Sequence, residues 1–168
     1  SALPPTGAPP PASPAASPSA TAPGTTVTPP APDGAIPVAV TARARADGAE
    51  PAVLAFVRSY FGAINAHDYQ AYARLLDPGQ AATETRARFD DGYSSTIDSA
   101  ATLAGISAFG DRGEAAAITF TSQQDPAQSV TGTDSCDHWA ITLYLEPGGS
   151  GDVLGTAPAG YRARHQAC

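Results

Sequence analysis

Few residues of this chain could transfer a proton or hold a metal. There are three histidines, His67, His138 and His165, and two cysteines, Cys136 and Cys168. A catalytic histidine needs a partner that orients its ring. His138 follows Asp137 directly, but neighbouring side chains on a strand point to opposite faces, so the two make no ready dyad. His138 therefore reads as a surface or rim residue. His67 is expected in solvent at a chain corner, and His165, beside Arg164, at an exposed C-terminal end. Two distant cysteines and three scattered histidines match no zinc spacing, so neither metal nor cofactor is expected. No Gly-x-Ser-x-Gly, phosphate loop or dinucleotide fingerprint occurs.

The cysteine pair carries a different expectation. An even count in a small domain is compatible with one disulfide, and Cys168 is the last residue, where a crosslink would pin a fraying end. Two unpaired thiols in a cytosolic protein is the alternative. Charge narrows the partners. With nine arginines, no lysine and 16 acids, the net charge is −7. No basic face for nucleic acid is visible, and the arginines are dispersed apart from Arg86/Arg88 and Arg162/Arg164, which read as solvated faces. No membrane-spanning run is present.

The elements that must position these residues begin late. Residues 1–50 carry 12 of the 17 prolines, with Ala, Ser, Thr and Gly filling most of the rest and no aromatic residue before Phe56. Such a segment buries too little apolar surface to offset its ordering entropy and is expected to be a disordered, partly polyproline linker. Val38–Val40 could add a short edge strand. A tether of this kind suits a domain held away from a surface by an anchor or signal lying upstream.

Residues 51–168 are expected to form one α+β domain. The first helix is predicted from about Pro51 to Ala66: Pro51 suits a first turn, and Val53, Val57, Tyr60 and Ile64 form a stripe widened by Leu54 and Phe61. Asn65 is expected to end it and Asp68 to cap a second helix carrying Tyr69, Tyr72 and Leu76 on one face. A third helix is predicted over residues 83–91, with Phe89 inward and Gly92 as its cap. Strands follow at about residues 102–109, 114–124 and 135–146. The turn Gly110-Asp111-Arg112-Gly113 separates the first two, and a polar loop over residues 125–134 precedes the third. Period-two counting puts Asp137, Trp139, Ile141, Leu143 and Leu145 on one face, and Cys136, His138, Ala140, Thr142 and Tyr144 on the other. A last strand begins near Asp152, interrupted at Ala157-Pro158-Ala159-Gly160.

The run Tyr60-Phe61-Gly62-Ala63-Ile64-Asn65-Ala66-His67-Asp68-Tyr69, followed by Leu75-Leu76-Asp77-Pro78, resembles the opening of the NTF2-like superfamily. The fold this implies is a cone: three N-terminal helices packed on a curved antiparallel sheet, around a pocket. The resemblance is closest to extracytoplasmic NTF2-like domains that actinobacteria place after a Pro-rich segment, through Phe89-x-x-Gly92-Tyr93 and Cys136-x-x-Trp139. It implies a Cys136–Cys168 pairing and a location outside the cytoplasm, secreted or anchored to the outer face of the cell membrane. The isomerases of the superfamily use a tyrosine at the position of Tyr60 and a carboxylate base; Glu84 and Asp98 are available here, and spacing selects neither.

Three functions remain open. The leading expectation is a non-catalytic interaction or ligand-sensing domain, its pocket lined by Tyr60, Tyr72, Tyr93, Trp139 and Tyr144, whose partner is a protein or a small apolar ligand. The second is an isomerase- or cyclase-type enzyme using Tyr60. The third is an assembly module, with a homodimer through the sheet face implied by the resemblance. Nucleic acid is not expected as a partner, nor membrane except through an anchor.

Overall fold

Residues 34–168 are described by a computed structural model, in which short N-terminal elements and helices precede a curved sheet. The order is β1 (Val38–Val40), α1 (Ala42–Arg45), α2 (Glu50–Asn65), α3 (Tyr69–Ala73), α4 (Pro78–Ala81), α5 (Arg86–Tyr93), β2 (Ile97–Phe109), β3 (Gly113–Gln123), a 3-10 turn (Pro126–Gln128), β4 (Cys136–Gly148), β5 (Gly151–Leu154) and β6 (Arg164–Ala167). The fold is α+β, with five helices and a mixed sheet of six strands among the described residues.

The expected linker boundary at residue 50 falls too late. β1 pairs in parallel with β2, Val38 opposite Ala101 and Val40 opposite Leu103. Val38 and Ala44 belong to the core. Thr41 caps α1 and also donates to the Ala104 carbonyl at 2.8 Å, tying this segment to β2. Both elements are too short to show a period in the sequence, and tertiary contacts make them. The chain arrives by crossing α2 closely: Gly34 has φ +68, and a Cβ there would stand 2.5 Å from the Ala66 nitrogen. Residues 1–33 of the predicted linker lie outside the described residues.

In α2, Pro51 occupies the first turn and Glu50 offsets the positive end of the helix dipole. Val53, Phe56, Val57, Tyr60, Phe61 and Ile64 are buried against the sheet. Asn65 does not take the left-handed conformation; His67 does, with φ 51. The Asn65 amide is engaged elsewhere. It donates to the Asp98 carbonyl at 2.9 Å and accepts from the Asp98 backbone N–H at 2.8 Å, which fixes the helix corner to the start of β2. Asp68 caps α3 by accepting from the Ala71 N–H.

The expected third helix begins at Arg86, with Thr85 as its cap, and runs through Gly92 to Tyr93, ending at Ser94. Phe89 and Tyr93 lie one turn apart, and both are buried. Pro78 opens a further short helix, α4, capped by Asp77.

The sheet order is β1-β2-β3-β4-β5, with β6 also on β4; all pairings except β1–β2 are antiparallel. The predicted last strand is thus two strands on one edge of β4. β2 is longer than predicted and carries irregularities between Ser99 and Thr102 and between Leu103 and Gly105, with Ala100 at φ 50. Bulges of this kind bend a strand and increase its twist. The β2–β3 turn demands glycine at residue 113, where a Cβ would stand 2.4 Å from the Leu145 carbonyl oxygen.

Candidate functional site

The inner face of the sheet meets the helices in an aromatic cluster with a polar end. The Tyr60 ring lies 5.4 Å from Phe61 and 6.0 Å from Tyr72, while Tyr72 lies 5.0 Å from Phe89 and 5.5 Å from Tyr93. α2, α3 and α5 thus each turn a tyrosine inward. Burial pushes the Tyr60 and Tyr93 hydroxyls well above the usual phenol range; Tyr72 adds to the effect at both, while Tyr93 opposes it at Tyr60. Tyr72 is pushed up to about 12, again chiefly by burial, with Tyr93 opposing. The Tyr60 and Tyr93 hydroxyls interact with each other, but neither makes a hydrogen bond of good geometry among the described residues.

Beyond the tyrosines, one row of polar residues crosses the inner face. Asp98 on β2 stands opposite Ser122 on β3, which stands opposite Asp137 on β4. All three are buried. Ser122 donates from Oγ to Asp98 Oδ1. Burial raises Asp98 to about 7, with the Ser122 bond opposing, and its charge is felt at Tyr60. Gln124, two residues beyond Ser122, is buried with both amide atoms unpartnered; so are Asp137 Oδ2 and Trp139 Nε1. A buried polar atom left unpaired costs about 1–3 kcal/mol.

His165 closes this row. β6 sets it opposite Trp139, and the two rings stack with centroids 4.6 Å apart. Its Nδ1 lies 3.0 Å from Asp137 Oδ1, which accepts the bond. His165 is exposed as expected, but its ring is held by Trp139 and Asp137. Asp137 does have a histidine partner, but it comes from the neighbouring strand. His138 lies on the outer face, with Nδ1 3.0 Å from Thr121 Oγ1. His67 is exposed at the corner as expected, although its Nε2 lies 3.1 Å from the Thr96 carbonyl oxygen.

Tyr60, Tyr72, Tyr93 and Trp139 are therefore brought to the inner face, but Tyr144 is not. β4 buries Asp137, Trp139, Ile141, Leu143 and Leu145, so Tyr144 points outward, against Phe109 and Tyr161. An interior pocket lined by all five residues is corrected on that ground. Tyr60 has 0% accessible surface, as have Phe61, Leu103 and Gln124, so no water-sized space touches them. Asp98, Ser122, Gln124 and the Asp137–His165 pair were missed as a group. Each lies on a different strand or beyond a bulge, and no local spacing could join them. Cys136 and Cys168 form a disulfide, with Cα atoms 5.4 Å apart, tying the chain's last residue to the start of β4. No group of three or more metal-ligating side chains occurs among the described residues.

The outer face presents a different surface. Three depressions of about 420, 300 and 470 Å³ follow one another along it. The first two share Thr119, Ala140 and Arg164, and the last two share Ala104, Ala117 and Thr142, so they merge into one groove. Its floor is alanine and threonine because the outward positions of β2, β3 and β4 are small. Arg43 stands on one side, its side chain 3.5 Å from where a Cβ on Gly105 would lie. Arg162 and Arg164 stand on the other, before and on β6. Tyr161 joins that wall, its hydroxyl accepting from the Thr142 N–H at 2.6 Å. No Asp or Glu lines any of the three depressions.

No protein-family model, curated protein or solved structure matches this chain.

Proposed function

We propose that this chain is an extracytoplasmic, NTF2-like interaction domain without catalytic activity, which holds a partner on the outer face of its sheet. One contrast carries the reading. The inner face is closed, with Tyr60 wholly inaccessible, whereas the outer face bears an uncovered groove with a floor of small residues. A filled interior has no place for a substrate, and an open face of alanine and threonine lets another chain approach the sheet closely. Helices leading into a curved sheet support the NTF2-like assignment. The Cys136–Cys168 bond supports the location, since disulfides persist in oxidising compartments. No helix among the described residues is long and apolar enough to cross a membrane.

The test is photo-crosslinking in the cells that make the protein. A photoreactive residue replaces Thr119 on the groove floor or, as control, Ser59 on the exposed side of α2. Crosslinks to a discrete partner from position 119 and none from 59 are expected. Equal or absent crosslinking at both positions overturns the reading.

Enzymatic use of Tyr60 is a second reading, favoured by Asp98 beside it. A carboxyl that keeps its proton to about pH 7 and a buried phenol can both donate to a developing oxyanion. The interior must then open to admit substrate. A steroid- or polyketide-like ligand that raises the Tm of the wild type and not of Tyr60→Phe would favour this reading over the first.

A further inference from the structure

Arginine is the only basic residue besides histidine in this lysine-free protein, and the fold gathers three of its nine arginines on one groove. Arg43 comes from α1, at the β2 edge of the sheet; Arg162 and Arg164 come from the C-terminal end, at the β4 edge. None has a carboxylate partner: the ion pairs among the described residues are Arg86–Asp90 and Asp137–His165. Arg162 Nη1 is bound only to the Tyr161 carbonyl oxygen, at 2.7 Å. The charge of Arg164 reaches Tyr161, where it favours the ionised phenol. A chain of net charge −7 thus presents a groove lined by arginine and histidine and by no acid.

The dimensions suit an extended polypeptide. From β2 to β6 there are three inter-strand steps, about 14 Å between the arginine walls at about 4.8 Å per step. Along β3 the floor runs from Thr121 to Ala115, about 20 Å at about 3.4 Å per residue, which is the reach of about six extended residues. The floor along β3 is made of small, uncharged side chains, so it admits a backbone without selecting bulky side chains. Selection is left to the walls, which supply positive charge on both sides.

We infer that this groove binds an extended, acidic segment of a protein partner, a conclusion that rests on the outer-face reading proposed above and names the partner's chemistry. Carboxylates on adjacent residues of such a segment reach Arg43 on one side and Arg162 and Arg164 on the other, since successive side chains of an extended chain point to opposite sides. A polyphosphate strand fits less well. It brings a charge at every nucleotide against three arginines, and the rest of the protein repels it.

The experiment uses the full, disulfide-bonded chain and a fluorescein-labelled octapeptide in which pairs of adjacent glutamates are separated by alanine or threonine, read by fluorescence anisotropy at low salt. Its twin carries glutamine for every glutamate. The acidic peptide is expected to bind saturably and at least tenfold more tightly than the twin. Exposed ion pairs are worth up to about 1 kcal/mol, so Arg43→Gln and Arg164→Gln should each weaken binding about threefold to fivefold. Thr119→Trp, which fills the floor, should abolish it. All three positions are solvent-exposed, and an unchanged far-ultraviolet circular dichroism spectrum confirms the fold of each variant. Equal binding of the two peptides overturns the inference, as does no saturable binding at millimolar peptide or indifference to all three substitutions. Tighter binding of an eight-residue oligothymidylate also overturns it, as does a dimer lost in Thr119→Trp, which makes a second copy the occupant. If any of these occurs while crosslinks from position 119 persist, the acidic partner fails and the outer-face reading stands; if the crosslinks are absent too, both fail.

Discussion

Asp98 makes a quantitative prediction about stability and pH. It is buried at the junction of α2, β2 and β3, its side chain bound to Ser122 and its backbone to Asn65. Burial raises it from 3.8 to about 7. Below about pH 4 the carboxyl is protonated in both folded and unfolded chains and contributes no difference. Between about 4 and 7 the unfolded chain has lost the proton and the folded chain keeps it. Stability therefore falls as pH rises through this window and levels off above it. At 1.36 kcal/mol per pH unit, the displacement from 3.8 to about 7 corresponds to a loss of about 4 kcal/mol. Asp98→Asn keeps the shape and the acceptor for Ser122 but carries no titratable proton. Urea unfolding followed by the single tryptophan, Trp139, at pH values from 4 to 8 measures the effect. Wild type and variant should be similar near pH 4 and diverge as pH rises, until the variant is more stable by up to about 4 kcal/mol at pH 8. Glu84, also raised by burial, slopes the same way in both proteins and cancels in the difference. Parallel stability curves would refute the reasoning, because they would mean that Asp98 ionises as freely in the folded chain as in the unfolded one.

Tyr60→Phe removes a buried hydroxyl that makes no hydrogen bond of good geometry among the described residues, so it should stabilise the protein by about 1 kcal/mol in the same urea assay; a loss of stability would show that the hydroxyl is bonded in the folded protein. Asn65→Ala removes both bonds to the Asp98 backbone and should cost about 2–3 kcal/mol, with faster amide exchange at the start of β2 as its local signature. Cys168→Ser opens a loop with a sequence separation of 32 and should cost about 3–4 kcal/mol, an effect that reductant reproduces in the wild type and does not add to in the variant.

Where a segment's own pattern decides its conformation, the sequence was informative. The apolar stripe of α2 places Val53, Val57, Tyr60 and Ile64 on its buried face. Strict alternation along β4 separates Trp139 from Tyr144, which is why the two cannot line one interior. Asp68 caps α3, and the turn at residues 110–113 joins β2 to β3, because capping and tight turns depend on a few adjacent residues. Such local signals determine the α+β class, several of the elements and which face of a helix or strand turns inward. They say nothing about which distant segments meet. Val38–Val40 was legible as a short edge strand, whereas α1 is too short to announce itself, and both are held because β2 offers an edge. Asn65 ends its helix by binding Asp98 across the corner, so the left-handed residue became His67. The row Asp98, Ser122, Asp137 depends on a register shifted by irregularities in β2, and the Asp137–His165 pair on β6 returning to β4. The groove depends on both ends of the described chain, since Arg43 and Arg164 become neighbours across the sheet only when the strands between them are in place. Burial and charge at these sites are sums over several segments, and for that reason only the tertiary structure could decide them.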